Sequence, residues 1–192
     1  SSGKQGYAIA KVLSLMGAEI QLISGPCNIN IPNNVTVTNI SSAKEMNNVV
    51  MDLLPADFAI CTAAVTDFRP VNYSFSKLKK NSVNSISLTE NPDILYNISN
   101  SQKKRPRLVV GFSAETNNVK INAKKKLNEK KCDWMLANKI IKKNPVFGSD
   151  ENLVHYITSK TLETWPKMSK IQVAKKLNNK IFDFFNNNDN KS

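Results

Sequence analysis

Residues 58–67 read Phe58-Ala59-Ile60-Cys61-Thr62-Ala63-Ala64-Val65-Thr66-Asp67. Phe58 to Cys61 form a short apolar run of the kind buried on both faces of a parallel sheet. The small residues that follow, and then the carboxylate of Asp67, fall beyond the C-terminal end of that strand, where open α/β sheets bind their ligands. Taken alone, Asp67 reads equally well as a solvated loop residue.

Working back toward the start, Val35-Thr36-Val37 reads as a strand. Ser41 or Ser42 follows as a helix N-cap, with Glu45 three residues after Ser42, and the helix runs to about Leu54. Glu19 to Ser24 is a second β-rich run closed by the turn signal Gly25-Pro26. Before it, Tyr7 to Met16 carries apolar residues at helical spacing and stops at Gly17, and the small-residue loop Ser1-Ser2-Gly3-Lys4-Gln5-Gly6 opens that helix.

Working forward, residues 70–90 break into Ser, Asn and Lys, with a hairpin strand expected at Ser85-Ile86-Ser87-Leu88. Regularity returns with a helix from Asn91-Pro92-Asp93-Ile94-Leu95 and a strand at Leu108 to Phe112. A Lys-rich helix then spans about Val119 to Lys131, followed by a strand at Trp134 to Ala137. Strands at Leu153–Thr158 and Thr161–Trp165 and a helix from Ser169 to Phe185 complete the pattern. Alternating strands and helices predict an α/β fold: a three-layer, Rossmann-like, doubly wound and mostly parallel sheet with an antiparallel edge. The 70–90 stretch is an excursion from it.

In such folds a Gly-rich phosphate loop joins a strand to a helix, because the strand aims the loop N–H groups at the ligand. This sequence opens directly on its loop at Ser1. The expectation is therefore a domain over residues 1–185 that lacks its first strand, with 186–192 a disordered tail; a strand supplied from elsewhere is the alternative.

The 192 residues suit one ordinary domain with a sizeable core, and the 41% hydrophobic content argues against disorder. No apolar run approaches the roughly 20 residues needed to cross a bilayer. Cys27, Cys61 and Cys132 form no CxxC pair, which predicts a reducing, cytoplasmic setting without a disulfide framework. The net charge of +12 fits nucleic acid, an anionic small ligand or a Lys-rich composition spread over the surface. Its lysine clusters, Lys77-Leu78-Lys79-Lys80 and Lys124-Lys125-Lys126 with Lys130-Lys131, lack interleaved aromatics, which ranks small polyphosphates above DNA or RNA.

Several groups could carry chemistry. Lys77, Lys79 and Lys80 in a flexible excursion suit a lid that brings cations onto a polyphosphate, or are simply a solvated face. Lys126 and Lys130 lie four apart on one helix face and could meet one anion, with Phe112 offering its ring to a base; a helix surface and a core Phe are the plainer account. His155 is the only histidine, so neither a His-based triad nor a His-rich metal site can be assembled.

The order of these blocks is more specific than any one of them. Ser1-Ser2-Gly3-Lys4-x-Gly6, Ser24-Gly25-Pro26, Ala63-Ala64-Val65-x-Asp67-Phe68-Arg69-Pro70, Lys77-x-Lys79-Lys80, Asn91-Pro92-Asp93-Ile94-Leu95, Gly111-Phe112-x-Ala114-Glu115-Thr116 and Ala137-Asn138 run in register over nearly the whole chain. Together they resemble bacterial phosphopantothenoylcysteine synthetase.

That resemblance implies a CTP-dependent ligase that joins 4'-phosphopantothenate to L-cysteine through an acyl-cytidylate, releasing pyrophosphate and then CMP, with Mg²⁺ on the triphosphate. By the same resemblance Cys61, Thr62, Ala63, Asp67, Pro92, Asp93, Ile94, Leu95, Phe112, Lys126 and Lys130 form the CTP pocket. Lys77 would bind CTP and act in forming the acyl-cytidylate, Ser1, Ser2 and Gly3 would handle phosphates, and Asn138 falls in the family's Ala-Asn block. No metal ligands are assigned.

A homodimer is implied, with the 70–90 excursion as lid and contact region. In many bacteria the synthetase is fused behind a flavin-dependent decarboxylase, so FMN is expected only with such an upstream domain. The family's functional asparagine just ahead of Ser-Ser-Gly falls before Ser1, which would leave the chain able to bind nucleotide but short of a catalytic group. Thr66-Asp67-Phe68 replaces the commoner Ala-Asp-Tyr. Eukaryotic relatives prefer ATP but lack the compact Asn-Pro-Asp-Ile and Lys-x-Lys-Lys spacing, which favours CTP. The alternative is a non-catalytic nucleotide- or nucleic-acid-binding module, although the chain has no full GxGxxG after a strand.

Overall fold

Two layers of helices enclose the predicted sheet, and the side-chain alternation along each strand decides which layer each residue meets. A computed structural model describes residues 2–72, 85–139 and 151–189. Ser1, Lys77, Lys79 and Lys80 lie outside the described residues. Helix α1 (Lys4–Leu15) leads to β1 (Ile20–Ser24) and β2 (Val35–Asn39), then α2 (Ala43–Asp52), β3 (Phe58–Cys61), β4 (Phe68–Pro70), β5 (Leu88–Glu90) and α3 (Ile94–Ser99). The chain continues through β6 (Leu108–Glu115), α4 (Val119–Lys130), β7 (Trp134–Lys139), β8 (Glu151–Asn152), β9 (Val154–Thr158), β10 (Leu162–Thr164), β11 (Met168–Ser169) and α5 (Lys170–Asp189).

The main sheet has the order β10-β9-β7-β6-β3. β3, β6 and β7 run parallel, while β9 and β10 add the expected antiparallel edge. On β6, Leu108 and Val110 face a core shared with Ile9, Leu13, Val173 and Leu177 of α1 and α5. Val109 faces the opposite core with Met46 of α2, Ile98 of α3 and Leu127 of α4. This is the doubly wound arrangement, helices on both faces of a mostly parallel sheet.

Differences from the sequence reading have local causes. Phe58–Cys61 was expected to be buried on both faces, yet all four residues are half-buried. β3 is the last strand of its sheet, and among the described residues its second edge has no partner. β1 and β2 pair in parallel with each other as a separate ladder.

The excursion pairs as an antiparallel hairpin of Phe68–Pro70 with Leu88–Glu90 rather than through 85–88 alone. Pro70 is tolerated because β4 is an exposed edge. Ser42 caps α2 by accepting from the Glu45 N–H, but Glu45 returns its bond to the N–H of Ser41, one residue before the reciprocal partner of a capping box. Helix α5 continues past Phe185 to Asp189, through part of the stretch expected to be a disordered tail. Phe184 and Phe185 pack against the α1/α5 core and each other, which holds the helix where its Asn-rich sequence favours it weakly.

Candidate functional site

The loops leaving the C-terminal ends of β1 and β3 line an open cleft of about 640 Å³. Gly3 opens α1 on one side of it at φ 72°, a left-handed backbone that glycine adopts without strain. Thr62, Ala63 and Ala64 form the opposite side. The two sides approach so closely at Gly6 that a Cβ there would stand 2.7 Å from Thr62 Oγ1. Gly6 is what allows the first turn of α1 to sit against the loop after β3.

A compact polar group lies deeper in this cavity. Tyr7 Oη donates to Ser24 Oγ at 3.2 Å, and the Cys27 thiol donates to Tyr7 Oη at 3.3 Å. Ser24 Oγ lies 3.4 Å from Cys27 Sγ, and these contacts hold the Cys27 pKa below the ordinary thiol value. The Cys61 thiol behaves oppositely: although part of the residue stays exposed, the surrounding protein pushes its pKa up to about 12, with Cys132 and Asp93 adding negative charge. Cys61 is a protonated packing residue rather than a nucleophile.

A second group of polar side chains gathers at the start of α3 and the end of β6. Asp93 caps α3, its carboxylate accepting from the Tyr96 N–H at 3.1 Å, and it also pairs with the ammonium of Lys130. Lys126, one turn earlier on α4, stands 2.7 Å from the carboxylate of Glu115, which is 8% exposed and also accepts from Asn122 at 3.3 Å. The spacing of Lys126 and Lys130 on one helix face is as read from the sequence, but each is held by its own acid. Phe112 is partly buried against the core on the α1/α5 side, whereas α4 packs on the other face of the sheet. The ring and the two lysines therefore approach the strand ends from opposite layers.

Asn91 ties the loop after β3 to the start of α3. Its N–H donates to the Asp67 carbonyl at 2.8 Å and its amide to the Thr66 carbonyl at 2.9 Å. The guanidinium of Arg69 donates to Asn91 Oδ1 and to the Glu90 carbonyl. The loop carrying Asp67 is thus tied directly to the Pro92–Leu95 helix start. Of the residues predicted for the site, Gly3, Thr62 and Ala63 line the cavity, and Asp93 and Lys130 meet at the second group. Asn91 and Arg69 line the cavity as well and were assigned no role from sequence, although both stand within the quoted motifs.

Among the described residues, no three His, Cys, Asp or Glu side chains converge on a point where a metal could sit. Asp93 and Glu115 are each engaged by a lysine. The described residues build no protein cage for Mg²⁺. Among the described residues, no helix is long and apolar enough to cross a membrane.

A family model for the DNA/pantothenate metabolism flavoprotein C-terminal domain matches residues 1–184. The chain is 38% identical over 174 residues to the coenzyme A biosynthesis bifunctional protein CoaBC of Vibrio vulnificus strain CMCP6, covering 88% of this chain and 43% of that protein. It is 37% identical over 185 residues to CoaBC of Haemophilus influenzae, covering 95% of this chain and 46% of that protein. The chain thus spans less than half the length of these curated relatives.

The crystal structure of the C-terminal domain of a coenzyme A biosynthesis bifunctional protein CoaBC superposes with a TM-score of 0.80 at 33% identity, covering 97% of this chain and 85% of that one. A Cab2 mutant solved with phosphopantothenate-cysteine shares the fold, with a TM-score of 0.68 at 10% identity over 98% of this chain and 80% of its own.

Proposed function

The chain belongs to the family of the DNA/pantothenate metabolism flavoprotein C-terminal domain, and from that premise we propose that it is a CTP-dependent ligase joining 4'-phosphopantothenate to L-cysteine in coenzyme A biosynthesis. The observation that carries the reading is the cavity at the C-terminal ends of β1 and β3, where the Gly3 loop faces Thr62 and Ala63. Backbone N–H groups at a helix start favour anionic ligands, and both substrates that meet in the first step carry phosphate.

A carboxylate and an amine do not condense usefully in water. In the proposed first step a carboxylate oxygen of phosphopantothenate attacks the α-phosphorus of CTP, the bond to the β-phosphate oxygen breaks, and pyrophosphate leaves with its electron pair. In the second, the cysteine amine attacks the acyl carbon, CMP departs, and the amine gives up a proton. The work of the protein is positioning and charge neutralisation.

We assign the nucleotide to the crest formed by Cys61–Ala63, Asp67 and Pro92–Leu95, with Phe112, Lys126 and Lys130 bordering it. Ser1, Ser2 and Gly3 take the phosphate loop, and Lys77 takes the charge developing in the first step. Magnesium would enter chelated by the triphosphate, as Mg²⁺ commonly does.

The same reading makes the protein a cytoplasmic homodimer. Its contact would be the β4–β5 hairpin, around which Phe68, Val71, Ile86 and Leu88 are exposed. Exposed apolar side chains clustered on a short edge favour association. Fusion to a flavin-dependent decarboxylase, with FMN in that domain, accords with the bifunctional relatives.

Lys77→Gln tests the chemistry. It is expected to suppress pyrophosphate release from CTP and phosphopantothenate at least tenfold while changing CTP binding less than threefold, figures on the order of one positioned charge. Unchanged turnover would remove Lys77 from the reaction.

A further inference from the structure

The two walls of the cleft are held by different forces. Tyr7, Ser24, Ile40 and Met46 line one side, and all four are buried. The other side is the strap that leaves β3, which lines the cleft from Thr62 to Thr66 and again at Arg69. Every residue of that strap from Ala63 to Pro70 is exposed. A segment that buries so little apolar surface gains little from packing against the cost of ordering it, so its shape depends on hydrogen bonds.

Those bonds converge on Asn91. Pro92 disfavours helical backbone at the residue before it. Asn91 accordingly extends the β4–β5 ladder one rung past Glu90, its N–H donating to the Asp67 carbonyl at 2.8 Å, before Asp93 caps α3. Its side-chain amide then grips the strap: Nδ2 donates to the Thr66 carbonyl at 2.9 Å and to Thr66 Oγ1 at 3.2 Å, while Oδ1 accepts from the Arg69 guanidinium at 3.2 Å. A carbonyl only accepts and a guanidinium only donates, so these neighbours allow the amide one orientation. Arg69 is anchored in turn by donating to the Glu90 carbonyl. Two successive carbonyls, those of Thr66 and Asp67, are thus held by one residue, and Thr66 Oγ1 closes the turn on the Phe68 carbonyl at 3.3 Å.

We propose that Asn91 is a positioning residue whose side chain holds the Thr66–Asp67 turn in the shape that receives the nucleotide. The proposal rests on the ligase reading, in which this strap borders CTP. A strap already ordered spares the ligand the cost of ordering it on binding. Asn91 acts through the turn and not on the reacting atoms, so its loss falls on CTP affinity rather than on the rate of the bound complex.

In the full gene product carrying these 192 residues, Asn91→Ala removes the amide and keeps the backbone rung. Amides of residues 65–68 are expected to exchange on the order of tenfold faster, with those of β6 and β7 unchanged. The KM for CTP is expected to rise on the order of tenfold, the scale of ordering one or two residues on binding, while kcat and the KM for L-cysteine move less than about threefold. Asn91→Asp keeps the size and an acceptor for Arg69, but at neutral pH its carboxylate has no hydrogen to give Thr66. It should match the alanine variant, and a wild-type CTP KM in Asn91→Asp would overturn the proposal. Unchanged exchange at 65–68 overturns the holding of the turn. Equal rises in the KM values of all substrates, or a fall in kcat with the CTP KM unchanged, overturns the link to the nucleotide. A wild-type enzyme that turns over no CTP defeats the ligase reading and the link with it, while the exchange comparison still decides what holds the turn.

Discussion

The ammonium of Lys126 lies 2.7 Å from the carboxylate of Glu115, and the two partners differ sharply in exposure, 43% against 10% for their side chains. Removing the exposed member strands a charge inside the protein, whereas removing the buried member returns a lysine to water. Lys126→Met is therefore expected to destabilise the fold by about 1–3 kcal/mol, the scale of an uncompensated buried polar group. Glu115→Gln should cost less than about 1 kcal/mol, in keeping with a half-exposed pair. Urea unfolding of the two variants checks the asymmetry, and equal losses would contradict it.

Gly6 and Thr62 make a steric prediction at the cavity wall. Gly6→Ala places a methyl group 2.7 Å from Thr62 Oγ1, so α1 or the loop after β3 must move. A loss of about 1–3 kcal/mol is expected from this overpacking. Thr62→Ala removes the clashing oxygen, and alanine is the better helix former by roughly 1 kcal/mol. The double variant should therefore unfold at or above the wild-type urea midpoint, and a double variant as unstable as Gly6→Ala alone would refute the contact.

His155 ties stability to pH. It is buried, its Nδ1 lies 2.9 Å from Thr164 Oγ1, and burial with the nearby Lys120 charge holds its pKa below the ordinary imidazole value of 6.5. As pH falls below 6.5 the unfolded chain takes up a proton before the folded one does. The contribution is therefore complete above pH 6.5 and is lost as pH falls toward the depressed folded value. Unfolding midpoints between pH 7.5 and 5 should decline, and His155→Gln should flatten this part of the profile. An unaltered slope in that variant would assign the decline to other groups.

The cysteines should react in a fixed order. Cys27 has its pKa lowered by the hydroxyls of Ser24 and Tyr7, while Cys61 and Cys132 are pushed up to about 12 and about 11 by burial. Since the thiolate is the reactive form, iodoacetamide at pH 7.5 should label Cys27 first and the other two only on unfolding. Peptide mass spectrometry reads the order, and early labelling of Cys61 would contradict the account of its surroundings.

Much of this could be read before the structure. Apolar runs such as Leu108–Val110 and Trp134–Ala137 announced buried strands because a parallel sheet covered on both faces demands them. Phe58–Cys61 carries the same signal, but whether a strand is flanked on both edges depends on pairing, which its own four residues do not encode. The Lys126 and Lys130 spacing was legible; that Glu115 and Asp93 hold them was not, since a strand end and a helix cap must fold against α4 first. Asn91 stood in view within a motif, yet its bonds to the Thr66–Asp67 loop arise only when the chain on either side of the hairpin is brought together.

The central claim is CTP-driven amide formation, and the most direct measurement follows both halves of the reaction with the full gene product carrying these 192 residues. CTP and 4'-phosphopantothenate with Mg²⁺ should release pyrophosphate without cysteine. Adding L-cysteine should then release CMP and 4'-phosphopantothenoylcysteine in equal amounts, detected by mass spectrometry. Pyrophosphate release that ignores phosphopantothenate, or amide formation that proceeds with ATP and not CTP, would contradict the account.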